Sequence, residues 1–313
     1  GMAGSVNTPP NKDIRWEKTT TVNVGVDFAL FRHRLSGTIE YYNKYSVDLL
    51  AAINGSPTQG FGYTTLMTNN GKMVNRGVEI TLSGEIIRQK DFSWNASLLY
   101  AFNRNKVKHI SVQPSLWDSR ISMPTSYPMV GKPLYGIYAY KWAGLNENGD
   151  PQVYDAENNV TSGPARDYHA LVYCGTTVPI HNASLTNVLR YKGFEFSAML
   201  ILDAGHKLRS SNIPSINMSN GRITSTAKGI VDRWTQPGDV TDVPRLLFSN
   251  DTENFNTHRT ELYRYSDLFV YDASNIRLSN ISLAYRVPAH WCKKISLSGA
   301  RLQFNVENVA TFA

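Results

Sequence analysis

Apolar and polar residues alternate with a period of two along much of this chain, and the alternating runs come in pairs. Residues 16–31 and 35–50 flank the tripeptide Arg32-His33-Arg34, and residues 74–88 and 92–108 flank Gln89-Lys90-Asp91. Residues 181–191 and 194–205 flank Lys192-Gly193, and residues 273–287 and 294–307 flank a turn opened by Pro288. Long polar stretches, 51–73, 109–180 and 206–272, separate the pairs. In the first run Val22, Val24, Val26, Phe28 and Leu30 share one face, with Thr21, Asn23, Gly25, Asp27 and Ala29 on the other. The fourth run sets Phe92, Trp94, Ala96, Leu98, Tyr100 and Phe102 against Ser93, Asn95, Ser97 and Asn103. Such alternation predicts strands with one apolar and one polar face.

The predicted architecture is all-β: an antiparallel meander of about eight long strands in four hairpins. Short turns at one end and long loops at the other are the layout of a transmembrane β-barrel. A soluble sandwich spaces its turns about 8–12 residues apart. A soluble sheet packed on a core would alternate in the same way, so length has to discriminate. Runs of about 11–16 residues exceed the typical strand of about 5–6. At about 3.3 Å per residue, 15 residues reach about 50 Å, enough to cross a tilted membrane and project beyond it. Aromatics gather near the run ends (Trp16, Phe31, Tyr41, Tyr42, Phe92, Trp94, Tyr100, Phe102, Tyr191), as interfacial girdles require. A self-closed small barrel or a sandwich stands as the alternative for the isolated chain.

Composition narrows the picture only in places. The 313 residues include 17 Tyr and carry a net charge of +7. The cations are scattered, several at turns (Arg32, Arg34, Lys90, Lys192, Lys293, Lys294), so no continuous basic groove marks a nucleic-acid partner. No apolar run reaches the ~18 residues of a transmembrane helix. The start, Gly1-Met2-Ala3-Gly4-Ser5, lacks a charged region followed by an apolar core, and Gly1 reads as a residue left by tag removal. The expectation is therefore a fragment: residues 1–15 as a lead segment, and 16–313 as a partial barrel. Cys174 and Cys292 lie far apart without metal-ligand spacing, and a free pair is expected.

Catalytic chemistry finds no purchase in the sequence. There is no Gly-x-Ser-x-Gly elbow, His-Glu-x-x-His motif or phosphate-binding glycine loop. Five of the seven histidines (His109, His169, His206, His258, His290) fall in connections or turns. No enzyme, cofactor or catalytic residue is expected. Asn146-Glu147-Asn148-Gly149-Asp150, followed by Glu157, loosely matches a calcium loop, but the glycine is misplaced and Pro151 follows; a turn is the simpler expectation. The long connections are rich in aromatics: Trp117, Tyr127, Tyr135, Tyr138, Tyr140, Trp142, Tyr154, Trp234, Tyr263 and Tyr265. Flat rings suit stacking on sugars or gripping peptides, and they equally suit packing the loops together. Trp117, Tyr135, Tyr138, Trp142 and Trp234 are the substrate-contact candidates.

Longer stretches carry a resemblance. Residues 14–50 (IRWEKTTTVNVGVDFALFRHRLSGTIEYYNKYSVDLL), 69–84, 91–107, 132–155 (KPLYGIYAYKWAGLNENGDPQVYD), 234–246 (WTQPGDVTDVPRL), 271–288 and 297–312 resemble barrel segments of the SusC/RagA-like TonB-linked outer-membrane proteins of Bacteroidetes. The segments follow the family's order and cover most of the chain. The resemblance implies a 22-stranded barrel with an N-terminal plug, energy from TonB, a SusD-like surface lipoprotein as partner, and import of oligosaccharides or peptides. It places this chain in the C-terminal part of the barrel, without plug or TonB box and so unable to transport alone. The competing function is a stand-alone β-sheet binding module from a truncated receptor.

The last two runs break phase. Ile276 and Leu278 have one parity, while Ile281, Leu283, Tyr285 and Val287 have the other; Ile295 and Leu297 oppose Leu302, Phe304 and Val306. Bulges near Asn280 and near Gly299-Ala300 would restore the faces.

Overall fold

The computed structural model describes residues 11–54, 65–112, 118–163, 167–214, 216–219, 222–246, 257–294 and 296–313. Its largest element is an eight-stranded antiparallel sheet: β1 (Lys18–Leu30), β2 (Leu35–Asn54), β3 (Thr65–Arg88), β4 (Phe92–His109), β5 (His181–Tyr191), β6 (Phe194–Ala204), β7 (Asn275–Val287) and β8 (Ala300–Phe312). Spatial order follows chain order, and each strand pairs with its predecessor. β2 and β3 run further into the first long connection than the sequence pattern indicates, with Asn54 opposite Thr65. Glycine, asparagine and threonine in that stretch weaken the alternation without preventing ladder hydrogen bonds.

The register carries the apolar face across all eight strands. Val26 lies opposite Ile39, Ile39 opposite Ile80, and Ile80 opposite Tyr100. Tyr100 lies opposite Ala183, Ala183 opposite Leu202, Leu202 opposite Ile276, and Ile276 opposite Phe312. A one-residue slip would turn a whole strand over, so seven ladders in phase amount to one continuous hydrophobic surface. That surface is uncovered: Val24 is 61% exposed and Phe304 68%. An exposed apolar face of this extent requires a non-aqueous neighbour. The other face carries Asp27, Glu40, Glu79, Asn95, Thr186 and Gln303, with Thr38 donating to Asp27 at 2.6 Å.

The bulge expected near Asn280 is present. Leu200 pairs with Leu278 and Met199 with Asn280, which leaves Ser279 as the extra residue. β8 is irregular opposite the same point, where Asn308 has φ +53°. The bulge expected near Gly299-Ala300 is not there. Residues Ala289–Lys294 form a short helix after Pro288, whose carbonyl accepts from the N–H of Trp291 and Cys292. The strand begins only at Ala300, so Leu297 precedes the ladder and has no phase to keep; Ile295 lies outside the described residues. Proline at the threshold of a helix supplies the fixed φ and lacks only an N–H that would have no partner there.

The sheet is open: β1 and β8 are not paired with one another, so the self-closed small barrel is not adopted. The apolar core lies elsewhere, in the assembly of long connections at the end opposite the short turns. Tyr138, Tyr140, Val153, Ala170, Leu171 and Leu262 form it, each 5% exposed or less. They come from strands Gly136–Tyr140, Pro151–Tyr154 and Leu171–Thr176, from the short 3-10 helix Tyr168–Ala170 and from helix Thr257–Arg264.

Candidate functional site

The loop assembly is held by long-range polar clasps. Asp150 follows a turn in which Asn146 Oδ1 accepts from the N–H groups of Asn148 and Asp150, both at 2.9 Å. Its carboxylate then receives Arg245, Nε and one terminal nitrogen each at 3.1 Å, and Arg259 Nε at 2.6 Å. Two guanidinium groups thus occupy the oxygens that a calcium loop would offer its ion. Arg259 also donates to the carbonyls of Gly149 and Arg245, tying two of the long connections together. Burial lowers the pKa of Arg259, and Asp150 works against that shift by stabilising the cation.

A second clasp is built on Arg209. One terminal nitrogen donates to the Tyr138 carbonyl at 2.6 Å and the other to the Ser266 carbonyl at 3.4 Å. Burial is the main cause that lowers its pKa. Strand Lys207–Arg209, which carries Arg209, pairs with Val270–Asp272, beside the start of β7. The clasp therefore connects the buried tyrosines to the barrel wall.

The aromatic candidates separate into groups. Tyr138 is 1% exposed, and its hydroxyl accepts from the Met129 N–H at 3.2 Å; burial raises its pKa. It packs against Tyr173 at 5.9 Å between ring centroids. Enclosed in this way it packs the loop core and presents no surface in this structure. Trp142 and Trp234 converge on one segment. Trp142 Nε1 donates to Asp242 at 2.9 Å, and Trp234 N–H donates to the next carbonyl, Val243, at 2.8 Å. The Trp142 ring leans on Tyr263 at 5.7 Å, and Trp234 covers Gly149. Both indoles are half-buried. Asp239 shapes the turn after Trp234 by accepting from Thr235 N–H and Oγ1 and from Gln236 N–H, and these bonds lower its pKa. Tyr135 stands apart, 46% exposed, with its carbonyl held by Thr177 N–H at 2.9 Å. Trp117 lies outside the described residues.

The residues that organise this region, Arg209, Arg245, Arg259, Asp242 and Asp267, were not singled out by sequence pattern. Their partners lie far along the chain, and a pairing such as Asp267 with the Trp142 N–H has no local period. The one visible signal was the Asn-Gly-Asp turn, whose acid serves arginine. Cys174 and Cys292 are free thiols.

The seven in-phase ladders, the exposed apolar face and the loops gathered at one end describe a barrel wall. The family profile described as TonB dependent receptor-like, beta-barrel matches residues 1–309. The chain belongs to that family. It is 25% identical over 320 residues to TonB-dependent receptor P3 of Formosa agariphila, a match covering 96% of this chain and 30% of that protein. TonB-dependent receptor SusC of Bacteroides thetaiotaomicron is 25% identical over 312 residues, covering 95% and 29%. In structure the chain is similar to a component of the RagAB peptide transporter, with a TM-score of 0.77 over 98% of this chain and 33% of that one, at 22% identity. The chain thus spans about 30% of the length of the relatives it matches. Membership places this TonB-dependent receptor barrel segment in the outer membrane, and the relatives are receptors and transporters rather than enzymes.

Proposed function

We propose that the chain is the C-terminal part of the barrel of an outer-membrane importer for oligosaccharides or peptides. In this reading a plug and TonB act through segments beyond this chain, a SusD-like lipoprotein covers the loops, and no step is enzymatic. The observation that carries it is the continuous apolar face through all eight strands, backed by a polar face suited to a wet lumen. The structural likeness to the RagAB peptide transporter supports the peptide class, and the aromatic loop residues suit stacking on sugars as well.

Within that reading the exposed Tyr135 ring is the substrate-contact candidate, with Trp142 and Trp234 supporting the surrounding surface. The complete receptor, purified in detergent, is titrated with oligosaccharide and peptide pools. Saturable binding to one pool and about a tenfold loss on Tyr135→Ala are expected, since stacking contributes about 1–1.5 kcal/mol. Absence of binding to both pools would remove the importer assignment.

A further inference from the structure

We propose that Arg76, Arg104 and Lys106 form a binding site, on the lipid-facing side of β3 and β4, for the phosphate of an outer-leaflet lipid headgroup. The register places them there. Val78 and Phe102 are opposite one another on the apolar face, and the next outward pair toward the long loops is Arg76 opposite Arg104. One step further, Lys106 lies opposite Val74. All three cations are exposed. On β4 the outward residues from Phe92 to Phe102 span ten residues. At about 3.3 Å per residue and a tilt of about 40° that is about 25 Å of height, the thickness of the apolar band of an outer-membrane barrel. Arg104 therefore emerges where headgroups begin, on the side carrying the long extracellular loops.

Along the register line through Arg104 and Arg76 the cations do not continue: the next outward positions are Asn43 on β2 and Val22 on β1. Like charges directly opposite one another are destabilising, so an Arg–Arg pair calls for a counter-ion. Among the described residues no carboxylate forms an ion pair with any of the three. Asn43 Oδ1 accepts from Arg76 Nε at 3.0 Å, a bond that fixes the plane of that guanidinium through Nε and does not use its terminal nitrogens. Two guanidinium forks and an ammonium on adjacent strands match the oxygens of a phosphomonoester, and apolar residues directly below suit its acyl chains.

The test uses the complete receptor, delipidated in detergent and titrated by native mass spectrometry. The probes are monophosphoryl lipid A, its dephosphorylated counterpart and inorganic phosphate. The phosphorylated lipid is expected to bind more tightly than the dephosphorylated one, to lose at least tenfold in affinity in Arg76→Gln/Arg104→Gln, and to keep its affinity within twofold in the remote control Lys90→Gln/Lys192→Gln. Equal affinity for the two lipids, an unchanged Gln variant, or equal loss in the remote control would overturn the proposal. Displacement of the lipid by inorganic phosphate at matching concentration would reassign the site to a free anion and overturn the lipid assignment. If heat-modifiable gel mobility shows the Gln variant unfolded, Arg76→Lys/Arg104→Lys decides: a severalfold loss is expected because an ammonium cannot chelate, and no loss would overturn the assignment.

Discussion

Gly149 has φ +74°, and a Cβ built there would meet the Trp234 ring at 2.4 Å. Two independent constraints, left-handed backbone and ring contact, therefore favour glycine at this turn. Gly149→Ala is expected to displace the indole, read as a red shift and quenching of its emission against a background variant lacking the other exposed Trp residues. The neighbouring Asp150→Ala leaves two guanidinium groups facing one another without their acid; a local loss of about 2–3 kcal/mol is expected, measured as faster proteolysis of the long connections with the barrel intact. Cys174 is half-buried, and burial pushes its thiol up to about 11, with Asp267 adding to the shift. At pH 8 about one thiol in a thousand is then ionised, against about one in ten at the ordinary value near 9. Cys174 is expected to alkylate far more slowly than a free thiol at pH 8, with the rate still rising tenfold per pH unit up to pH 10; a plateau near pH 9 would contradict the burial seen here.

At the scale of elements, the strands were legible because the period-2 pattern is written locally and a wall between lipid and water enforces it on every strand. Seven of the eight strands lie where alternation put them, to within a few residues or with extensions. The phase break in β7 was legible for the same reason: a change of parity in a strand with one lipid-facing side needs an extra residue. Ser279 is that residue. Its deletion is expected to close the bulge and leave Ile276, Leu278, Ile281, Leu283 and Tyr285 in plain alternation on the apolar face, so the heat-modifiable folded form should persist in detergent. Loss of that form would mean that the bulge itself is needed for pairing with β6 and β8. The start of β8 was misread because Ile295 and Leu297 are apolar, and apolarity alone does not distinguish the residues flanking a short helix from a strand. Cross-strand contacts refine the wall beyond the pattern. The Tyr42 ring lies against Gly77, its directly opposed partner, on the polar face. That position demands a residue without a side chain, as aromatic–glycine pairs across strands do.

The whole molecule has two unpaired edges, β1 and β8, and an uncovered apolar face. Free ladder groups and exposed apolar surface both promote association. The isolated chain is expected to give no monodisperse species in plain buffer. In detergent it should remain dispersed yet self-associate through its edges, so light scattering after size exclusion should report more than one chain per micelle. A monodisperse monomer without detergent would mean that the apolar faces are buried against protein, and would favour the stand-alone binding module. The loop assembly was far less legible at this scale. Its candidates were chosen by ring chemistry, and rings serve cores and ligands alike; Tyr138 went to the core and Tyr135 to the surface, although the two are three residues apart.

Sequence alone determined the strands, their two faces, the hairpin order and the bulge in β7, because each follows from spacing between near neighbours in a chain that must face lipid on one side. Tertiary structure decided which aromatics are buried and that Asp150 binds two arginines. It also decided that Arg76 and Arg104 stand side by side beyond the apolar band. Those outcomes depend on residues tens to more than a hundred positions apart, and nothing in their local spacing encodes the distance between them.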